Sequence, residues 1–345
     1  GVDKKAQTEE QLNGIYVFDD EAPVGETRVL EYLGLDDTIL DIGLTPNRAD
    51  CNAMWNLAKE VGAVLHRKVT WPDCKSASQI GTPNTFKVAS KTEKCPVFLG
   101  KVVNHVKVGP SPKWLSNYLH AYGIKSINNV VDISNFVMVE TGQPLHYYDL
   151  SKLPHHEITV VDDVEMTMQA LDGQDYEIKK GDLLITTGGE PTGIAGIMGG
   201  EESKIDESTT SIFIEAAVFN AVSIRNTSRR LGLSTEAAMH FTKGVEPMAP
   251  IKAVDRSVQL LKELAEADGF EENVLVGTVE DPVKTVSETL THCNTLLGTE
   301  FTMDQVLGVL KDLDLNPVQD GDCFTCTIPS YRTDLNIRED IDEEI

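Results

Sequence analysis

Residues 124–149, IKSINNVVDISNFVMVETGQPLHYYD, decide the fold of the central part of the chain. Apolar side chains are interleaved here with asparagines and aspartates, which is typical of a half-buried strand or of a helix edge. The run then enters a turn at Gly142-Gln143-Pro144 and continues into His146 and two tyrosines. Buried amides and an imidazole need hydrogen-bond partners, so the stretch is either a satisfied polar core or the wall of a pocket. The stretch alone leaves both interpretations open.

The composition indicates a multidomain globular protein. The chain has 345 residues, of which 41% are hydrophobic, and that length is enough for two or three domains. Its sequence has no apolar run near the ~20 residues that a bilayer-spanning helix needs. With 55 acidic and 30 basic residues, the net charge is −25, which argues against non-specific attraction to nucleic acid or anionic lipid. Any contact with RNA therefore needs a local basic patch or another subunit.

The six cysteines are scattered along the chain, which is typical of reduced thiols in a cytoplasmic protein. Cys323 and Cys326 have CxxC spacing, but their segment alternates and has no second Cys or His pair nearby. We therefore expect a strand there and no zinc.

The chain reads as an excised piece of a longer polypeptide, because it starts without Met in an apparent loop and ends in an apparent helix. We expect four units. Residues 1–34 are the tail of a truncated domain, residues 35–74 are a small α+β unit, residues 75–278 are the central mixed α/β domain, and residues 279–345 are a small helical domain that is cut short.

The second unit reads as a strand, a turn and a helix. We expect a strand over residues 37–45 and then a turn over residues 46–50, with Asp50 as the N-cap of an amphipathic helix. The turn could be catalytic, but capping and turn chemistry explain it more simply. The apolar stripe of this helix is expected to contain Met54, Leu57, Ala58, Val61 and Leu65.

In the central unit, alternating segments predict strands over residues 84–109 and 157–187. Between them, Ser111 as N-cap and Pro112 as first residue open a helix. The periodicity predicts that its buried face consists of Trp114, Leu115, Tyr118 and Leu119. A second amphipathic helix is predicted over residues 252–268, ended by Gly269.

Two features of the central unit carry possible chemistry. Residues 188–203 are glycine-rich but match neither a Walker loop nor a dinucleotide fingerprint. Glycine here either lets the backbone approach a ligand or another strand closely, or forms a structural bulge. Residues 211–218, SIFIEAAV, predict a buried strand with one carboxylate, Glu215. A buried acid is costly without a partner or a ligand, so we favour a functional role over a structural salt bridge.

The last unit ends in an acidic tail. A capping box at Thr302 and Gln305 opens one helix, and a strand and the tail PSYRTDLNIREDIDEEI follow. Asp340, Glu343 and Glu344 share one helical face, and Asp334 precedes them. Four oxygen donors suit Mg²⁺, but from the spacing alone we favour a solvated acidic face.

These segments together resemble the beta subunit of bacterial phenylalanyl-tRNA synthetase. The resemblance covers about residues 36–345 and rests on motifs in that family's order. They are LTPNRADC, SPKWL, INNVVDISNFVMVETGQPLHYYDL, AGIMGG, IEAAVF, and PSYRTD followed by REDIDEEI. It implies an α+β multidomain fold with a central editing domain of B3/B4 type and a winged-helix-like last domain. The partners implied are the alpha subunit in an alpha2-beta2 heterotetramer, tRNA(Phe), and the amino acids tyrosine and phenylalanine.

The resemblance also implies a reaction for the central domain. The assembled enzyme charges tRNA(Phe) with ATP and Mg²⁺, and the editing domain hydrolyses tyrosine wrongly attached to that tRNA. Glu215 would receive the tyrosine phenol, His146 and Asn135 would lie near the ester, and Thr235 would line the pocket. Ala237, Gly199 and Lys125 would contact the substrate. No cofactor is implied for editing, in which a bound water attacks the ester.

For the acidic tail, the resemblance favours magnesium over a solvated face, with Asp334, Asp340, Glu343 and Glu344 as ligands. Two other functions stay open. The chain could be a non-catalytic module that positions tRNA, which would not need Glu215, His146 and Thr235 together. A metal-dependent phosphoryl-transfer or hydrolytic enzyme rests on the tail carboxylates alone and lacks a phosphate loop.

Overall fold

The structure, a computed structural model, describes Phe18 and residues 22–74, 81–279, 281 and 283–345. Residues 1–17, which make up much of the predicted tail of a truncated domain, lie outside the described residues. The described part is an α+β fold with several separate sheets, as predicted. Its helices and strands, in chain order, are α1 (Val29–Tyr32), α2 (Met54–Val64), β1 (Lys87–Ser90), β2 (Val97–Asn104), α3 (Lys113–Tyr122), α4 (Asn129–Thr141), β3 (Leu145–Asp149), β4 (Glu157–Val161), β5 (Met166–Gln169), β6 (Asp175–Ile178), β7 (Leu184–Thr187), β8 (Glu190–Ile194), β9 (Met198–Gly199), β10 (Ser211–Val218), α5 (Ala221–Leu231), α6 (Glu236–Lys243), α7 (Ala249–Leu264), β11 (Gly269–Phe270), β12 (Val274–Gly277), β13 (Lys284–Thr289), α8 (Leu290–Leu297), α9 (Met303–Asp312), β14 (Val318–Asp320), β15 (Cys323–Ile328) and α10 (Arg338–Glu343).

The opening stretch of the sequence forms a helix, a turn and a strand. Asn128 caps α4 by accepting a hydrogen bond from the backbone N–H of Val131. The helix ends at Gly142, whose φ of +76° is a left-handed conformation that glycine adopts without strain. The chain then enters β3, so His146 lies on a strand.

The central sheet has the order β11-β2-β10-β3, with β12 also paired to β2, and β10 runs antiparallel to both of its neighbours. Successive side chains of a strand point to opposite faces. Phe213 and Ala217 therefore lie on one face of β10, whereas Ile212, Ile214 and Ala216 lie on the other.

Each face of the central sheet covers its own hydrophobic core. The first core lies towards the second sheet, whose order is β1-β4-β7-β8-β9, and includes Phe98, Phe213 and Phe241. The second core lies under α3, α4 and α7 and includes Leu115, Ile133 and Val258. Because both faces are covered, β10 is buried almost throughout, as its apolar sequence predicts.

The last section has a three-stranded antiparallel sheet, β13-β15-β14, and a third core around Phe324 and Ile341. Thr302 and Gln305 form the predicted capping box of α9. Cys323 and Cys326 lie on strand β15, as predicted, with Cys326 buried. The winged-helix likeness of this section stays a prediction.

Several predictions about the second unit are wrong. Residues 37–45 form no strand, and the N-cap of α2 is Ala53, because Asp50 lies in a 3-10 helix (Ala49–Asn52) and pairs with Arg48. The predicted apolar stripe is not the buried face of α2. Met54, Val61 and Leu65 are exposed.

Three details of the central helices also differ from the predictions. Pro112, not Ser111, occupies the N-cap position of α3, because the hydroxyl of Ser111 donates to Asp132 instead. The buried face of α3 consists of Leu115 and Leu119, with Trp114 and Tyr118 exposed. Helix α7 ends at Leu264 rather than at Gly269, which pairs with β2 as part of β11.

Among the described residues, the helices are too short or too polar to cross a membrane.

Candidate functional site

The site is built around Glu215, which lies on the first-core face of β10 between Phe213 and Ala217. The register of the central sheet places Glu215 directly opposite His146 on β3. Directly opposite residues of an antiparallel pair share a face, with Cβ atoms about 5 Å apart. The sheet therefore brings together two of the predicted residues that are 69 positions apart in the chain.

The nearest polar partner of Glu215 is Tyr148, whose hydroxyl donates a 2.6 Å hydrogen bond to Oε2. In the described part of the chain, no other donor reaches this carboxylate, and no cation pairs with it. A structural salt bridge, the alternative left open by the sequence, is therefore not what holds Glu215. Its side chain is nearly inaccessible, with the residue 6% exposed.

Burial sets the protonation state of this group. It raises the pKa of Glu215 to about 7, although the hydrogen bond from Tyr148 lowers it in part. Burial, together with the charge of Glu215, also raises the pKa of Tyr148 well above its ordinary value. Near neutral pH, Glu215 is thus divided between its neutral and charged forms, and Tyr148 keeps its proton. A hydroxyl can serve either form, since it can both donate and accept.

His146 contributes a neutral ring. Burial lowers its pKa to about 4, and its Nε2 atom is buried without a hydrogen-bond partner among the described residues. The ring contacts Tyr148 edge to face, with centroids 4.4 Å apart. A buried polar atom without a partner is costly, so its presence points to a ligand or a water in the functional state.

The glycine-rich run packs against this ring. Gly199 on β9 pairs with Gly193 on β8. A Cβ atom at Gly199 would lie 2.3 Å from Cε1 and 2.5 Å from Nε2 of His146, so a larger residue cannot fit without moving the ring. A Cβ atom at Gly193 would lie 3.6 Å from the hydroxyl of Tyr148. Glycine here thus permits close approach to the site, one of the two roles that the sequence left open.

Thr235 and Ala237 lie at the start of α6. The hydroxyl of Thr235 accepts a hydrogen bond from the backbone N–H of Ala238, which makes Thr235 the N-cap, and donates a 2.8 Å hydrogen bond to the carbonyl of Ile197. Ile197 lies directly before β9, so the cap ties α6 to the strand that contains Gly199. Ala237 is partly buried in the first turn of α6.

Two predicted residues are not joined to this group by any contact in the described part of the chain. Asn135 is half-buried on α4, on the side of the second core, and Lys125 is exposed in the loop before α4. Tyr148 was not predicted, although it lies two residues from His146 on one strand, a spacing that puts both on the same face.

One part of residues 124–149 forms a satisfied polar core, and another part forms a wall of the site. The amide of Asn129 donates to the carbonyls of Lys107 and Leu264, and Asp132 accepts from three donors, so α4 has a satisfied polar core. His146 lies on the wall of the site instead. Gln143 belongs to both: its NH₂ group donates to the carbonyl of Ala217, and its Oε1 is buried without a partner among the described residues.

The four predicted magnesium ligands are not gathered at one point. Asp334 and Glu344 both pair with the guanidinium of Arg332, which is 1% exposed. Asp340 accepts from the backbone N–H groups of residues 336 and 337, and Glu343 accepts from Asn47. In this arrangement the set does not fit Mg²⁺, because a cation already holds two of its members. The magnesium assignment stays a prediction.

Two open clefts lie away from Glu215. One, of about 400 Å³, runs along β1 and β4. The other, of about 30 Å³, lies where residues 49–56 meet residues 240–246 and Tyr331.

Comparisons with known proteins agree with this architecture. Residues 94–266 match the B3/4 domain family, and residues 286–345 match the tRNA synthetase B5 domain. The chain is 38% identical over 360 residues to the phenylalanine–tRNA ligase beta subunit of Halalkalibacterium halodurans, and 37% identical over 354 residues to that of Geobacillus kaustophilus. Each alignment covers 100% of this chain and 43% of the relative. The chain thus spans less than half the length of these relatives.

A solved structure is also similar, an N-terminal fragment of the phenylalanyl-tRNA synthetase beta subunit from Pyrococcus horikoshii. It has 13% sequence identity and a TM-score of 0.44, over 92% of this chain and 93% of that one.

Proposed function

Because this chain belongs to the B3/4 domain family and is related over its whole length to phenylalanine–tRNA ligase beta subunits, we propose that it is part of such a subunit and carries an editing site. In the assembled ligase, an alpha subunit and a beta subunit pair as an alpha2-beta2 heterotetramer and charge tRNA(Phe) with ATP and Mg²⁺ in the cytoplasm. This chain contributes hydrolysis of tyrosine that was wrongly attached to the tRNA. The names of the relatives and the motifs of the sequence support this assignment.

One observation carries the editing proposal: a buried carboxylate, Glu215, accepts a hydrogen bond from a phenol. That phenol belongs to Tyr148 and binds Oε2, which leaves Oε1 for a second hydroxyl. An aminoacylation pocket that fits phenylalanine cannot strongly reject an analogue that merely adds a hydroxyl. A second site with a buried acceptor can select that hydroxyl, because phenylalanine would leave the acceptor unpaired.

His146 and Gly199 would serve the ester end of the substrate. At neutral pH the ring of His146 is neutral, since its pKa is about 4. In the tautomer with the proton on Nδ1, its Nε2 can accept a hydrogen bond from a water or from the substrate amine. Such a weak base positions a water better than it activates one. The backbone beside Gly199 can approach the amino acid closely because no Cβ atom intervenes.

Access to Glu215 requires movement. The residue is 6% exposed, and Nε2 of His146 is fully buried, so a tyrosyl ester enters only after neighbouring side chains shift. The strand that contains Gly199 is two residues long, and short elements with few backbone hydrogen bonds open at low cost. We place this opening at β9 and at the start of α6.

The test measures hydrolysis of tyrosyl-tRNA(Phe) and phenylalanyl-tRNA(Phe) by the wild-type chain and by Glu215→Gln. We expect the wild type to cleave the tyrosyl ester preferentially and the variant to lose about 10- to 100-fold of that preference, the value of a hydrogen bond to a charged group. Tyr147→Phe is the matched control, because Tyr147 points to the opposite face and bonds Ser257.

If neither ester is cleaved, binding of free tyrosine distinguishes an editing pocket from a module that only positions tRNA. Tyrosine that binds the wild type but not Glu215→Gln supports the pocket and assigns tRNA positioning to the rest of the subunit. If tyrosine binds neither protein, the editing assignment fails and the chain is a module that positions tRNA.

A further inference from the structure

A second group of ligand-type side chains lies in the last section, far from Glu215 in sequence. Glu288 is the penultimate residue of strand β13, His292 lies in the first turn of α8, and Asp342 lies on α10. Their ligand atoms all lie within 4.8 Å of one another. Nδ1 of His292 is 3.0 Å from Oε2 of Glu288 and 3.6 Å from Oδ2 of Asp342. Three separate elements thus present one nitrogen and two oxygens to a common point.

Hydrogen bonding within the group accounts for His292 and Glu288 but not for Asp342. Nδ1 of His292 can donate to Glu288 at 3.0 Å, but the 3.6 Å distance to Asp342 is too long for a hydrogen bond. Both carboxylate oxygens of Asp342 are buried without a hydrogen-bond partner among the described residues, and the residue is 2% exposed. The thiol of Cys293 interacts with the same carboxylate, but a thiol is only a weak hydrogen-bond donor.

An unpartnered buried carboxylate is one of the costlier groups in a protein interior. Among the described residues, the arginine that pairs with this group is Arg338, whose Nε lies 4.0 Å from Glu288 and whose side chain is half-exposed. A bound cation at the common point would satisfy both carboxylates at once.

We propose that Glu288, His292 and Asp342 form a binding site for a divalent transition-metal cation, of which Zn²⁺ fits best. Imidazole nitrogen favours zinc-like metals over Mg²⁺ and Ca²⁺, which prefer oxygen ligands only. Around a tetrahedral Zn²⁺ with bonds near 2.1 Å, neighbouring ligand atoms lie about 3.4 Å apart. The two distances to His292 fall on either side of that value.

The surroundings of the group support this assignment. The backbone N–H of Thr289 donates to Oε1 of Glu288, which directs Oε2 towards His292, as partners behind metal ligands commonly do. The side chain of His292 is 30% exposed, so the metal has a path from solvent and room for a water as fourth ligand. A metal here would join α10 to β13 and α8, and so would stabilise the last section.

This site is distinct from the predicted magnesium set. None of its three residues belongs to that set, and the neighbours of Asp342 in the set have other partners: Glu343 bonds Asn47, and Glu344 pairs with Arg332. The inference does not depend on the editing proposal, because the two sites share no residue.

The test titrates the metal-stripped 345-residue chain with ZnCl₂ and with MgCl₂ by calorimetry, and with CoCl₂ by visible absorption. We expect one Zn²⁺ per chain and far weaker binding of Mg²⁺. We also expect the visible absorption bands of bound Co²⁺ to be those of a four-coordinate, tetrahedral site. His292→Gln and Asp342→Asn should each weaken Zn²⁺ binding by at least about 100-fold, because even partners behind metal ligands are worth 10- to 100-fold.

Two further variants test whether the change in Zn²⁺ affinity is specific to the three proposed ligands. Asp304→Asn, at an exposed position of α9, should leave Zn²⁺ affinity unchanged, whereas Arg338→Gln should raise it by removing a competing cation. Circular dichroism and the melting temperature check that each variant folds. Absence of Zn²⁺ binding to the wild type, equal affinity in His292→Gln, or equal affinity for Mg²⁺ and Zn²⁺ would each overturn the proposal.

Discussion

Glu215 illustrates how burial of one side chain makes stability depend on pH. Its folded pKa of about 7 lies above the ordinary 4.5, so the unfolded chain loses this proton first as pH rises. The stabilising contribution is complete below pH 4.5 and is lost as pH rises through 7. His146 acts in the opposite sense: its folded pKa of about 4 lies below the ordinary 6.5, so its contribution is complete above pH 6.5 and is lost as pH falls through 4.

The Glu215→Gln variant separates these two effects. Glutamine cannot ionise, so the free energy of unfolding of the wild type should fall relative to the variant by roughly 3 kcal/mol between pH 4.5 and 8. Urea denaturation at several pH values measures the difference. The exposed Glu190→Gln on β8 serves as control and should run parallel to the wild type. A wild-type–variant difference that does not change with pH would contradict the assigned burial of Glu215.

Gly199 tests the packing around His146. In Gly199→Ala, the added methyl group collides with the imidazole, so we expect the free energy of unfolding to fall by about 1–3 kcal/mol and hydrolysis of the tyrosyl ester to be lost. Gly308→Ala is the matched control. Gly308 lies within α9 with open space around it, so alanine should stabilise the chain by up to about 1 kcal/mol. Thermal unfolding and deacylation rates measure both, and two variants of equal stability would refute the collision.

At the scale of elements, the N-cap of α6 links secondary structure to the site. Thr235→Ala removes both the cap of α6 and the hydrogen bond to the carbonyl of Ile197, which should cost about 1–2 kcal/mol and displace β9. Thr235→Ser keeps the hydroxyl and should restore most of the stability and of the deacylation rate. Denaturation and tyrosyl-tRNA hydrolysis measure both variants. Equal rates in Thr235→Ala and wild type would show that the cap has no role in the site.

The sequence predicted best those elements whose pattern is decided locally. The apolar run around Glu215, the capping box at Thr302 and the turn at Gly142 depend on neighbouring residues, and the structure confirms them. Asp50 failed as an N-cap because Arg48 and Glu60 hold the surrounding charges in a network. The contact between Glu215 and Tyr148 depends on strand register, which periodicity alone does not give.

At the scale of the whole molecule, a charge network joins the first and last parts of the described chain. Arg48 pairs with Asp50 and Glu60, and it also lies 4.0 Å from Asp334. Arg332, nearly inaccessible, pairs with Asp334 and Glu344 and lies 4.0 Å from Glu60. Although burial by itself would raise the pKa of Asp334, hydrogen bonds from Arg332 lower it. The network therefore depends on two guanidinium groups, that of Arg332, which is buried, and that of Arg48, which is half-buried.

Arg332→Gln tests this network. The substitution leaves two carboxylates without their cation, so the free energy of unfolding should fall by about 3–5 kcal/mol. If the acidic tail binds Mg²⁺ as the sequence predicts, saturating MgCl₂ should restore part of that loss in the variant while changing the wild type little. Chemical denaturation with and without MgCl₂ measures both effects. A loss below about 1 kcal/mol would mean that solvent already screens these charges.

The same long-range contacts bear on synthesis by the ribosome. Asn47 and Glu343, which bond each other, are 296 residues apart. At about 5–20 residues per second, roughly 15 to 60 s separate their emergence from the exit tunnel. Throughout that interval α2 lacks its contacts with the last section, in which Lys59 lies over the Tyr331 ring and Glu60 lies 4.0 Å from Arg332. The surface that these contacts cover is then available to chaperones or to other nascent chains. Slowing translation of the last section should therefore increase aggregation of this chain more than slowing its first part.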